Sequence, residues 1–176
     1  MKLTFEQHLE PYYDAAGTAY ASSTTITDVN PTPNPQLYAG QLRKGTMIEM
    51  HAYGTFSNTG TPTLILGFYY GAVAGTALVA SSAVTTTTAA TNWAWVLHYE
   101  GQVRSEGATG TIMGHGVVEF PTSLTAFTPR RLPETALATV TIDTTVAKAL
   151  TVGATWGSNS ASNTLTCHGF RVSLRN

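Results

Sequence analysis

Charge is what this chain has least of. Only 11% of its 176 residues are Asp, Glu, Lys or Arg, against roughly 25% in an ordinary soluble domain. Nine basic and ten acidic side chains nearly cancel, to a net charge of −1. No basic field remains to hold a polyanion, which argues against nucleic acid as a partner. Such a surface is covered instead by Thr, Ser, Asn and Gly, and little repulsion keeps copies apart. We read it as a surface largely occupied by partners; the plainer alternative is that its hydroxyl groups alone keep the chain soluble. Cysteine is almost absent too. The single Cys167 excludes an internal disulfide. Long apolar runs are missing: stretches such as 48–53 fall far short of the roughly 20 residues that span a bilayer. The opening MKLTFEQHLEPYYD has no apolar signal-peptide core. No membrane partner is therefore expected, and synthesis is expected in a cytoplasm.

Recognisable catalytic motifs are the next absence. There is no Gly-x-Ser-x-Gly, no phosphate-binding Gly-x-x-x-x-Gly-Lys and no His-Glu-x-x-His. Gly67, Gly71 and Gly75 are scattered through turns and open no helix. Cys167 and His168 are neighbours, and on a strand their side chains point to opposite faces, so they make no catalytic pair. The ten carboxylates are dispersed, and nothing in their spacing favours a glycosidase pair. No enzyme, catalytic residue or cofactor is expected.

What is present is strand patterning in a chain about one domain long, 43% hydrophobic. In 46–56, Ile48, Met50, Ala52, Gly54 and Phe56 alternate with Glu49, His51, Tyr53 and Thr55. A turn at 57–62 carries Asn58, Gly60 and Pro62. Strands follow at 63–70, 76–80, 93–104, 110–120, 139–143, 150–156 and 164–174. The Thr-rich 85–88 reads as a loop or weak edge strand, and 121–136, with three prolines and Arg130-Arg131, as a long surface loop. Glycines 114 and 116 in 110–120 suggest a bulge or a close sheet contact. Eight or nine short strands with no long helix predict an all-β antiparallel sandwich, jelly-roll-like, over 36–176. Residues 1–35 differ in character. Pro31, Pro33 and Pro35 at alternate positions impose an extended path, and Phe5, Tyr12, Tyr13 and Tyr20 are too many aromatics for an idle tail. This segment is either an arm that docks on a neighbouring subunit or a strap that folds back on its own domain.

The stretch Leu42-Arg43-Lys44-Gly45, an alternating strand, Ala52-Tyr53-Gly54-Thr55-Phe56-Ser57, then Thr59-Gly60-Thr61-Pro62-Thr63-Leu64 resembles virion proteins of tailed bacteriophages. The run Asn92-Trp93-Ala94-Trp95, with Val103-Arg104 and Gly107-Ala108-Thr109-Gly110, is similar to the same group. The likeness covers about 36–120. It implies a jelly-roll or related sandwich without catalytic residues, in a capsid decoration (cement) protein, a minor capsid protein or a minor tail component. The expected role is a decoration protein, a homotrimer on the capsid surface that binds the major capsid protein and bridges its subunits.

For partner contact the sequence offers Phe5, Tyr12, Tyr13, Tyr20, Pro31 and Pro33 in the N-terminal segment. Arg130 and Arg131 join them from the proline-flanked loop; the alternative for this pair is plain solvation. A second constellation comes from alternation. Glu49 with His51, His98 with Glu100, and His115 with Glu119 each share a strand face. If those strands adjoin, imidazoles and carboxylates line one polar sheet face, as a divalent-metal site, a pH-responsive contact or a hydrogen-bonded polar surface. No metal ligand is assigned. Trp95 is expected in the core; Trp93 and Trp156, at strand ends, belong to the core or an interface, with an exposed glycan-binding rim as the alternative. The rival roles are a tail or fibre component that contacts the host surface and a carbohydrate-binding module.

Overall fold

The computed structural model describes residues 5–9 and 15–176. Those residues form no helix and fourteen strands. Six are bridges of two or three residues: β1 (Glu6–His8), β2 (Tyr20–Ala21), β3 (Thr27–Asp28), β4 (Gln36–Leu37), β8 (Val84–Thr85) and β12 (Val140–Ile142). The longer ones are β5 (Met47–Ser57), β6 (Thr63–Tyr70), β7 (Thr76–Ala80), β9 (Trp93–Ser105), β10 (Gly110–Ser123), β11 (Ala126–Leu132), β13 (Lys148–Trp156) and β14 (Thr164–Arg175).

They pack as two antiparallel sheets, an all-β sandwich. The larger sheet runs β1-β14-β5-β9-β10-β11, with β2 also on β14 and β12 also on β10. The smaller runs β3-β13-β6-β7, with β4 on β13 and β8 on β6. β5 pairs with β14 in one sheet while β6 pairs with β13 in the other. That nesting is the jelly-roll-like part of the topology. β9, β10 and β11 extend the larger sheet as a meander, so β14-β5-β9-β10 has the four-one-two-three order of a Greek key.

Alternation sets the core. Ile48, Met50, Ala52 and Phe56 face inward beside Trp95, Leu97, Tyr99 and Val103 of β9. Leu64, Leu66 and Phe68 oppose them from β6, with Val152, Ala154 and Trp156 of β13. Phe68 stacks on Phe170 across the two sheets, centroids 5.5 Å apart. Trp156 lies wholly within this core, although a strand end invited an exposed reading. Glycines in β9 and β10 make room for one large ring: a side chain at Gly101 or Gly114 would fall on the Tyr99 phenol. The close sheet contact expected at Gly114 is thus filled by an aromatic from the neighbouring strand.

Two segments depart from expectation. Residues 126–132 form β11, paired with β10 from Gly116↔Leu132 to Ser123↔Ala126, where a surface loop was predicted. Its one proline, Pro129, and both arginines belong to an edge strand, the place in a sheet where a proline removes no needed donor. Asn58 does not supply positive φ to its turn; Gly60 does, at +72°. Asn58 is buried instead, donating to Thr86 Oγ1 and the Thr87 carbonyl (both 2.7 Å) and accepting from Ala90 N–H (2.9 Å).

The described part of 1–35 folds back on its own domain. β1 and β2 pair with the two ends of β14, and β3 and β4 with two stretches of β13. Between β3 and β4 the prolines cannot continue a ladder, and Asn30 does so with its side chain. Its amide donates to the Leu150 carbonyl (3.1 Å) and its Oδ1 accepts from Val152 N–H (2.7 Å). Val29 N–H donates to the Val152 carbonyl, and Leu150 N–H to the Pro35 carbonyl. Every backbone group on that edge from Leu150 to Val152 that faces the strap is therefore bonded. Open strand edges invite pairing with other chains, and this strap closes both edges on one side of the sandwich.

Candidate interaction surface

The outer face of the larger sheet carries the constellation read from the sequence. β5, β9 and β10 are neighbours, and register sets Glu49 opposite Glu100, His51 opposite His98, and Glu100 opposite His115. Glu119 lies one row on, opposite Val96. β14 adds Arg171 opposite His51 and Ser173 opposite Glu49. Like charges facing across strands repel, and here Glu49 is compensated. Arg175 donates to it at 2.8 Å and His98 Nε2 lies 3.5 Å away.

His51 is held below its ordinary pKa of 6.5, first by burial, then by Arg171 and by His98, whose ring centre is 6.4 Å away; Glu49 partly offsets them. These surroundings favour the neutral imidazole. Among the described residues, no three His, Cys, Asp or Glu side chains converge in a way that could hold a metal ion. The register spreads the six residues over several rows, and Glu49 turns to its own cations. Tyr53, half exposed, lies over Gly169, where a Cβ would sit 2.6 Å from the ring. Gly169 follows a bulge after Cys167. That bulge leaves Cys167 buried and His168 exposed, the opposed placement expected of them. Burial pushes the Cys167 thiol up to about 12.

The residues singled out for partner contact separate into three groups. Phe5 and Pro33 are exposed, and Pro33 lines a cleft of about 360 Å³ with Leu9, Pro35 and Tyr38. Tyr20 and Pro31 are buried in their own domain; the Tyr20 hydroxyl donates to the Ser23 and Thr25 carbonyls, and the ring packs in the core. Tyr12 and Tyr13 lie outside the described residues. Arg130 and Arg131 have different fates because alternation points them to opposite faces. Arg130 reaches Glu134 at 3.4 Å, and Glu134 also accepts from Ser82, which holds its carboxyl below the usual range. Arg131 lines a cleft of about 470 Å³ with His115, Val117, Thr135 and Leu137.

Sequence reasoning missed the apolar side chains left in the open. Leu124 is 74% exposed and Phe127 57%, both at the β10–β11 turn; Tyr38 is 70% exposed. The first two fell in a segment read as loop, where period two gave no reason to ask which face each residue took. Residues 126–129 are all exposed, so no alternation in the sequence could have marked them. Neither a scan of protein-family models nor a search of curated proteins matches the chain.

Proposed function

We propose that this chain is a non-catalytic structural subunit of a tailed-bacteriophage virion, a capsid decoration protein. It binds the outside of the shell as an oligomer and stabilises it by bridging major capsid protein subunits. The observation that carries the proposal is the surface: nearly uncharged, with Leu124, Phe127, Phe5 and Tyr38 all more than half exposed. Neighbouring large apolar groups in the open mark surfaces that are covered in use, and Leu124 and Phe127 stand within three residues of each other at one turn. The one thiol, buried behind the sheet, is a poor nucleophile, which favours a structural over a chemical role. A protein that binds only the assembled lattice stabilises it by mass action, and an oligomer multiplies weak contacts. The phage assignment itself leans on the resemblance of 36–120.

The test is to tag the chain, purify the particles formed in its presence and image them by electron microscopy. Label distributed over the shell with the symmetry of the capsid lattice is expected. Label confined to the tail, or its absence from particles, overturns the assignment. The tail or fibre reading has one observation in its favour, the exposed Tyr53 ring on the flat sheet face; label on the tail would select it.

A further inference from the structure

We infer that the cleft between β10 and residues 133–137 binds a singly charged organic carboxylate with an apolar body, held by Arg131. Such a site goes beyond the structural role proposed above and does not depend on it. Strand pairing makes the cleft. β11 leaves β10 at the Gly116↔Leu132 pair, and β12 rejoins it only at Ile112↔Val140. Between these points residues 133–139 run clear of the ladder, and 113–115 of β10 have no partner strand on that side. The chain from Pro133 to Leu137 stands against the outer face of the sheet there, bounding about 470 Å³ with His115, Val117 and Arg131.

The lining carries charge of one sign. Arg131 shares an outward-facing row with Val117 and His98. Arg43, Arg130 and Arg175 each meet a glutamate, at 3.2, 3.4 and 2.8 Å. Arg131 has no such partner among the described residues, and no carboxylate lines the cleft. Glu119, its diagonal neighbour on β10, lies outside the lining, and Glu134 turns to Arg130 and Ser82. Glu100, opposite His115, lines the next cleft along with Arg104. An unpaired guanidinium fork matches a planar carboxylate with two parallel hydrogen bonds. The His115 ring and the Thr135 hydroxyl stand in the same wall as further donors. One permanent cation balances a single negative charge, whereas a phosphate monoester carries about two. Val117, Pro133 and Leu137 supply hydrocarbon, so the body of the ligand is apolar, and the volume suits a small organic molecule.

The test uses the full chain, isotope-labelled, and follows its backbone amides by NMR as hydrocinnamate is added. Saturable shifts at His115, Val117 and Thr135 are expected. Two controls isolate the charge. The neutral amide of the same acid is expected to bind the parent chain at least about tenfold more weakly. Arg131→Met keeps the stem and loses the fork, and is expected to bind hydrocinnamate at least about tenfold more weakly too. A thermal melt checks that this variant is folded, and the amide control needs no variant. A peptide terminus offers the same chemistry, so acetyl-Gly-Phe with a free C-terminus is titrated beside the acid. Tighter binding of the peptide assigns the carboxylate to a chain terminus, equal or weaker binding to a free acid. No saturable shift with either carboxylate at millimolar concentration overturns the inference. So does an amide that binds as tightly as the acid, or an Arg131→Met chain that binds like its parent.

Discussion

Asn30 stands where a peptide group belongs, and replacing it measures what that substitution is worth. Asn30→Ala removes both hydrogen bonds to β13 and leaves the Leu150 carbonyl and the Val152 N–H without partners. Asn30 is 6% exposed and its two contacts are buried, so water has little access to replace it. Each buried backbone group left unpaired costs about 1–3 kcal/mol. Two such groups give about 2–6 kcal/mol, a large part of the roughly 5–15 kcal/mol that holds a domain folded. At roughly 2–4 °C per kcal/mol for a chain of this size, the melting temperature should fall by roughly 4–24 °C. Urea denaturation and a thermal melt read the loss, and amide exchange at Val152 should quicken. Asn34→Ala is the control: among the described residues the Asn34 side chain bonds Asp28 alone, on the exposed side of the same strap, and its loss should change stability by less than about 0.5 kcal/mol. Asn30→Asp keeps the acceptor for Val152 but sets a buried carboxylate oxygen against the Leu150 carbonyl, so at pH 7 it should cost at least as much as Asn30→Ala. An Asn30→Ala chain as stable as its parent would refute the view that this side chain completes the edge of β13.

Three further outcomes follow from buried or half-buried polar groups. The Tyr99 hydroxyl is buried without a hydrogen-bond partner among the described residues, so Tyr99→Phe should leave stability unchanged or raise it; denaturant midpoints decide, and a loss above about 1 kcal/mol would show a partner for that hydroxyl. Cys167, its thiol pushed up to about 12 by burial, should react with a thiol reagent at pH 8 only as fast as the domain opens, and promptly in urea; immediate reaction of the native chain would contradict its placement. His51 is held below 6.5, so the unfolded chain takes its proton first, and this share of stability, complete above pH 6.5, is lost as pH falls below it. Its imidazole NMR midpoint should lie below 6.5 and His51→Gln should flatten stability between pH 7 and 5; a midpoint at or above 6.5 would reverse the sign.

The core was legible because it obeys one rule. Period-two alternation placed Ile48, Met50, Ala52 and Phe56 inward, and the same count placed Glu49 and His51 on the opposite face, where the register has them. Strands at 63–70 and 76–80 match the observed bounds. What alternation cannot carry is the pairing of strands, since β13 and β6 are close only because loops far apart in sequence bring them there. Hence the His and Glu side chains could be assigned to a face but not to rows. β11 was illegible for another reason. Prolines count against a strand in the middle of a sheet and not on its edge, and a single sequence does not say which strand is last. Tyr20 illustrates a third limit: an aromatic in a proline-rich segment has the same composition whether it faces a partner or its own core.

The two sides of the sandwich are finished in different ways, and the difference bears on where another strand could add to a sheet. On one side β1 and β2 cover the two ends of β14, and β3 and β4 cover β13, so partner strands gain no ladder along those stretches. On the other, β11 ends the larger sheet as an exposed strand, interrupted by Pro129 and bearing Arg131. A proline and a cation are the ordinary means of keeping an edge from pairing with another edge. On that same side the smaller sheet ends in β7, a short edge strand of five residues. The covering strap then has a second consequence. Its turn from Pro33 to Tyr38, set where β4 meets β13, forms the wall of the cleft at that corner. The segment that first looked like an arm reaching for a neighbour reaches no further than its own domain in its described residues, and by doing so it builds one wall of that cleft.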